Sequence, residues 1–169
     1  MTSIHGKTVR LRPAMESDVT ALAEIRATPE VYERWRGDDL EAEIREGIAT
    51  AGLHLLAIED GSGRLVGAIQ WETEEDPDYR HANLDVFLDP AVHRRGHGVD
   101  AVSALCRYLF DVEGHHRLTI DPAADNIAAI RCYAKAGFRE VGRMRQYERD
   151  ANGGWHDGLL MERLADDPV

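Results

Sequence analysis

Hydrophobic positions recur along the chain first with period two and then with helical spacing, and the alternation of the two patterns sketches the fold. Thr8-Val9-Arg10-Leu11-Arg12 alternates as a short strand that stops at Pro13. Ser17-Asp18 then caps a helix carrying Val19, Leu22, Ala23 and Ile25-Arg26. A second helix is predicted from Leu40 to Ala51, after an irregular loop, Tyr32 to Asp39, that contains Trp35. Leu53 to Glu59 and Leu65 to Thr73 read as a hairpin around Asp60-Gly61-Ser62-Gly63, whose residues tolerate positive φ. The acid-rich run from Glu72 to Asp78, broken by Pro77, should leave the sheet as a loop before a strand from Ala82 to Leu88. Beyond the segment His93-Arg94-Arg95-Gly96-His97-Gly98, a helix from Val99 to Val112 places Val102, Leu105, Cys106 and Leu109 on one face. Arg117 to Ile120 is a short strand ending at Asp121-Pro122. Asn126 caps a helix that runs through Ala136 and is terminated by Gly137. Glu140 to Arg149 and Trp155 to Leu164 form a closing hairpin around Asn152-Gly153-Gly154.

With 169 residues, 43% of them hydrophobic and 30% charged, the chain has ordinary globular composition, and residues 1–169 are expected to fold as a single domain that buries about 70% of its unfolded surface. Twenty basic and thirty-one acidic residues give a net charge of −11, which repels nucleic-acid phosphates and anionic membranes and favours a small cationic partner. No nucleic-acid or membrane partner is expected. Cys106 and Cys132 match neither a zinc pattern nor a disulfide framework and read as buried free thiols. The eight histidines form no H-E-x-x-H pattern, and His115-His116 falls at a helix end, where a cation is comfortable. No metal is expected. The first thirteen residues lack an apolar targeting run and no stretch reaches membrane-helix length, so the expected compartment is the cytoplasm.

A strand, a glycine turn bearing two arginines and a helix start make an anion site, because unsatisfied helix amides and the macrodipole favour negative charge. The same residues invite a rival reading. Gly96-x-Gly98-x-x-Ala101 matches the dinucleotide fingerprint, and Asp121 lies 20 residues beyond Ala101, where a ribose-binding acid would stand. The order of elements opposes it, since several strands precede this unit and only one further helix follows. No G-x-x-x-x-G-K-S/T phosphate loop occurs.

A second cluster decides between these readings. Asn126-x-x-Ala129-x-x-x-Tyr133-x-Lys135-x-Gly137-Phe138, taken with the glycine loop, resembles the signature of the GNAT N-acetyltransferase superfamily over nearly the whole chain. That resemblance implies an α/β fold with a mostly antiparallel mixed sheet of about seven strands, splayed at strands 4 and 5 and flanked by about four helices. It implies acetyl-CoA as acetyl donor, with the pantetheine arm along Val86, Phe87 and Leu88. The pyrophosphate falls on the loop of His93, Arg94, Arg95, Gly96, His97 and Gly98, and Asn126 touches the same molecule. His93 stands where the family usually has Gln or Arg. Tyr133 is the implied proton donor to the leaving thiolate, while Asp85 and Asp121 are the candidate groups for taking the amine's proton. The resemblance is also compatible with a homodimer.

Within the superfamily, Asp121-Pro122 before the second cluster, the acidic loop, and Trp35 followed by Gly37-Asp38-Asp39 look like aminoglycoside 6'-N-acetyltransferases, enzymes of antibiotic resistance. On that likeness Trp35, Glu72, Glu74, Glu75, Asp76, Asp78, Asp85 and Asp121 bind the acceptor. Gly142 to Leu164 is equally reminiscent of ribosomal-protein and polyamine acetyltransferases. A catalytically silent acetyl-CoA-binding module is a third reading.

Overall fold

The computed structural model describes residues 3–168. Its eight-stranded sheet consists of β1 (Ile4–His5), β2 (Val9–Pro13), β3 (Leu53–Asp60), β4 (Leu65–Glu74), β5 (His81–Leu88), β6 (Arg117–Ile120), β7 (Arg139–Arg149) and β8 (Trp155–Leu164). The spatial order is β1-β2-β3-β4-β5-β6-β8-β7. Every neighbouring pair is antiparallel except β5 and β6. The five α-helices are α1 (Val19–Arg26), α2 (Pro29–Tyr32), α3 (Leu40–Ala49), α4 (His97–Asp111) and α5 (Ile127–Lys135).

Period-two burial gives the sheet two apolar faces, and the helices cover both. On one face α4 and α5 pack Val102, Leu105, Leu109 and Tyr133 against Leu11, Ile58, Ile69, Leu84 and Ile120. On the other, Val19, Leu22, Ile25 and Ile44 of α1 and α3 cover Ala57, Ala68 and Phe87. No helix among the described residues is long and apolar enough to cross a membrane.

The parallel pair opens a cleft in the sheet. β5 and β6 pair only at Ala82↔Leu118 and Asn83↔Thr119, and the Thr119 hydroxyl donates to Asn83 Oδ1 at 3.0 Å where the strands part. From Leu84 to Leu88, β5 stays paired with β4 but has no strand on its other side. This is the expected splay.

The structure also corrects several expectations. An eighth strand exists because Ile4–His5 pairs with β2, and α2 is an additional helix in the segment before Trp35. Asp18 does not cap α1 with its side chain; it accepts the Arg12 guanidinium twice, at 2.7 and 2.8 Å, and the Met15 amide at 2.8 Å. β4 runs through Glu74 rather than ending at Thr73, since backbone pairing of Glu72 and Glu74 with Asn83 and His81 needs no apolar side chain. α4 begins at His97, two residues early, because left-handed Gly96 turns the chain directly into the helix. His115 is buried against Trp71, with ring centroids 6.0 Å apart. Burial lowers its pKa, so it is a neutral core imidazole rather than a helix-end cation. Cys106 is buried, whereas Cys132 is only half-buried.

The start of α4 is anchored from below. Asp100 accepts the amides of Lys7, Thr8 and Val9 at 2.9, 2.6 and 3.1 Å and the Thr8 hydroxyl at 3.0 Å. Burial works against its charge, but the Lys7 and Thr8 amides outweigh it and hold the carboxyl below its ordinary 3.8. A depressed carboxyl contributes stability above its unfolded pKa and loses it as pH falls through the folded one. Asp100→Ala is therefore expected to cost about 1 kcal/mol at neutral pH. Thermal melts should show the gap from the parent chain closing as the pH is taken below 3.8.

Candidate active site

Where β5 leaves β6, the cleft divides into two cavities with a common wall. A groove of about 670 Å³ follows the open edge of β5, bounded by Val86, Phe87 and Leu88, the glycine loop and one face of α5. A pocket of about 500 Å³ opens toward the ends of β6 and the β7–β8 hairpin. Arg34, Trp35, Val86, Asn126 and Tyr133 line both.

The groove is built for an extended, phosphorylated molecule. Gly96 supplies φ +84° at the entry to α4, and the amides of the first turn have no partner within the helix. A Cβ on Gly98 would stand 3.2 Å from both Cys132 Sγ and Leu88 Cδ1, so the absence of a side chain lets α4 sit close to β5 and α5. Arg94, Arg131 and Lys135 line the groove and form no ion pair among the described residues. The His93 ring lies 3.2 Å from the Leu88 carbonyl and can donate to it. Asn126 serves two purposes, since its Oδ1 caps α5 by accepting the Ala129 amide at 3.2 Å while it walls both cavities.

The pocket is acidic. Asp85, Asp121 and Glu148 all line it, and Glu148 lies 3.0 Å from His156 Nε2. Asp85 is open to the cleft, yet protein surrounds it so closely that the confined water solvates it poorly. That desolvation, opposed by the Val86 amide and reinforced by Asp121 and Glu148, pushes its carboxyl up to about 7. Burial likewise raises Asp121, against the Tyr147 hydroxyl, which favours its charged form. Tyr133 is buried, and burial followed by the charge of Asp85 raises its phenol well above 10. It stays protonated at any physiological pH.

Trp35 is fixed from two directions. The buried Arg26 guanidinium donates to the carbonyls of Trp35 and Arg36 at 3.1 and 3.2 Å and lies 5.8 Å from the Trp35 ring centroid. Phe87 meets the same ring edge-on at 5.0 Å. Arg34 reaches across the cleft to Asp125 at 2.9 Å.

Of the residues singled out by sequence, Val86, Phe87, Leu88, His93, Arg94, Gly96, His97, Gly98, Asn126 and Tyr133 line the groove, and Trp35, Asp85 and Asp121 line the pocket. Arg95 lines neither. The five acids Glu72, Glu74, Glu75, Asp76 and Asp78 are also elsewhere, outside the pocket. Asp85 pairs with Gln70 and His81 with Glu74, so β4 carries them toward the opposite end of β5. Glu148, Tyr147, His156 and Arg34 stand in the pocket instead, and no local motif marks them.

A model of the acetyltransferase (GNAT) domain family matches residues 8–139. Aminoglycoside N(6')-acetyltransferase type 1 of Klebsiella pneumoniae is 29% identical over 153 residues, covering 79% of this chain and 75% of that protein. Spermidine N(1)-acetyltransferase of Vibrio cholerae is 24% identical over 128 residues, covering 76% and 72%. The solved structure of spermidine N-acetyltransferase from Vibrio cholerae in complex with CoA and spermine superposes with a TM-score of 0.81 over 94% of this chain and 96% of that one, at 19% identity. That last likeness is one of fold.

The raised carboxyl of Asp85 has a thermodynamic signature. Unfolded, it ionises near 3.8; folded, near 7. Between those values the folded chain holds the extra proton, so this group's contribution falls as pH rises through the window and stays low above it. Asp85→Asn should therefore raise the melting temperature at pH 8 and have little effect at pH 4, as calorimetric scans at the two pH values would show.

Proposed function

The chain belongs to the GNAT acetyltransferase family, and from that premise we propose that this acetyl-CoA-dependent N-acetyltransferase acts on a multiply charged amine, an aminoglycoside at its 6'-amino group, with residues 1–169 working as one domain. The observation that carries the reading is the shared wall, where an acidic pocket and a phosphate-friendly groove meet at Val86, Asn126 and Tyr133.

Acetyl-CoA supplies a thioester whose carbonyl carbon accepts the amine. The residues of this chain do the rest. The free edge of Val86 to Leu88 can pair with the amides of the pantetheine arm, and the amides opening α4, with Arg94, Arg131 and Lys135, suit the phosphates. Asp85, Asp121 and Glu148 attract an ammonium-rich acceptor. The amine must lose a proton to become a nucleophile, and an ionised Asp85 or Asp121 can take it directly or through water. As the C–N bond forms and the C–S bond breaks, the protonated phenol of Tyr133 donates to the departing sulfur, and the surplus proton shed by the acylated nitrogen balances the one that the phenol has given up.

Trp35, a broad face on the pocket wall, suits a sugar ring better than a flexible polyamine, and the Klebsiella relative is named for the 6' position of aminoglycosides. A polyamine is the second reading, favoured by the spermidine-acetylating relative and by the same three carboxylates.

Release of free thiol from acetyl-CoA, measured with kanamycin-like aminoglycosides, spermidine and a ribosomal N-terminal peptide in parallel, tests the assignment. Fastest turnover is expected with the aminoglycosides. Brisk turnover of spermidine or the peptide, with none of the drugs acetylated, would replace the proposed acceptor. Tyr133→Phe should lower kcat by on the order of 100-fold with a smaller change in KM, because the donated proton matters only as charge develops on sulfur. An unchanged kcat would return Tyr133 to a packing role.

A further inference from the structure

The outer wall of the acidic pocket could not be made by a regular strand. Tyr147 and Glu148 are consecutive, and consecutive side chains of a strand point to opposite faces, yet both line the pocket. The register of β7 on β8 slips between Met144 and Glu148. Within that slip Gln146 takes φ +51°, a left-handed conformation that is unfavourable for a residue with a Cβ. The bulge is therefore held by something.

Asp157 of β8 holds it. One carboxylate oxygen accepts the Gln146 amide at 2.9 Å and the other the Arg143 guanidinium at 3.0 Å, and these contacts, Gln146 first, keep the Asp157 carboxyl below its usual range. The Asp157 carbonyl accepts the Ala124 amide at 2.8 Å, which ties the bulge to the loop that follows Asp121. The next residue, Gly158, bridges Ala123 and leaves a notch. A Cβ there would fall 2.8 Å from Tyr147 Cδ1 and 3.0 Å from Met144 Cε. The Tyr147 ring lies over this notch, and Tyr147 and Asp121 line the same pocket. Asp121 is the leading cause of the rise of the Tyr147 phenol to about 12.

We infer that the β7 bulge is a specificity-determining element, in which the Gly158 notch seats Tyr147 so that its phenol positions Asp121, while Glu148 adds a third carboxylate for a polycationic acceptor. The inference rests on the reading of Asp121 as an acceptor-side carboxylate. Tyr147 is a positioning residue, acting through Asp121. The groups around Asp121 are Tyr147 and Glu148 from β7, Asp85 from β5, Tyr133 from α5, His156 from β8 and Arg34 from the segment after α2. Burial and the charge of Glu148 favour the neutral acid, and the Tyr147 phenol favours the anion. Without the phenol, Asp121 would ionise at higher pH.

The test uses the whole chain with acetyl-CoA and whichever amine of the panel turns over. Tyr147→Phe removes only the hydroxyl of a half-exposed side chain, and Gly158→Ala places a methyl in the notch. Each should raise the acceptor KM on the order of tenfold and move the acidic limb of the kcat/KM profile for the acceptor to higher pH. Acetyl-CoA affinity by calorimetry should stay unchanged, which also reports that the variants are folded. The double variant should be no worse than the more impaired single one, because both changes act through one contact. Asp121→Asn is the companion measurement. If it depresses acceptor kcat/KM while Tyr147→Phe leaves both KM and the limb in place, the bulge is only structural and the inference is overturned. If Asp121→Asn leaves acceptor kinetics untouched, the reading of Asp121 falls as well.

Discussion

The molecule is organised around hydrogen bonds that β5 and β6 do not make. After Asn83 and Thr119 the two strands separate, and β5 continues with no strand on that edge, where the Val86 amide turns to its neighbour Asp85 and the Leu88 carbonyl to the His93 ring. Buried amides and carbonyls are seldom left without partners, so such an edge is stable only where something else can bond to it. The other parts of the cleft are arranged around that gap. α4 must begin beside it, α5 must line its far side, and the β7–β8 hairpin closes its lower end. In the proposed reaction an extended molecule bearing its own amides completes the sheet along that edge.

The two cavities differ in electrostatic character. Arg94, Arg131 and Lys135, which form no ion pair among the described residues, face the groove, whereas three carboxylates crowd the pocket. Gathering like charges where water is scarce opposes folding, and it is the kind of local inconsistency that concentrates where a ligand restores the balance. A net charge of −11 extends the same preference outward, drawing cationic molecules toward the cleft over distances limited by salt.

Most of the strands and helices were legible because their apolar periodicity coincides with the burial that the sheet imposes. The groove was legible too, since its parts are contiguous in sequence: Gly96 and Gly98 permit close approach, and Asn126 and Tyr133 keep one helical frame. The acceptor side was harder to read. The acids from Glu72 to Asp78 are conspicuous in sequence, but the register of β4 on β5 carries them away from Asp85. Glu148 and Tyr147 are inconspicuous, because their arrival depends on a strand slip and on a missing Cβ at Gly158, neither of which leaves a local pattern. His115 misled for a similar reason: its position after a helix suggested a solvated cation, while tertiary packing against Trp71 buried it.

β7 lies at the rim of the sheet, with eleven residues and nearly every side chain exposed, so it presents a row of backbone donors and acceptors to any other chain that meets it. Long open rims of this kind invite uncontrolled polymerisation. Here the bulge interrupts the row, and Arg139, Arg143, Arg145 and Arg149 surround it with bulky charge. The kink that brings two adjacent side chains into one cavity therefore also breaks the row of backbone groups that another strand could extend.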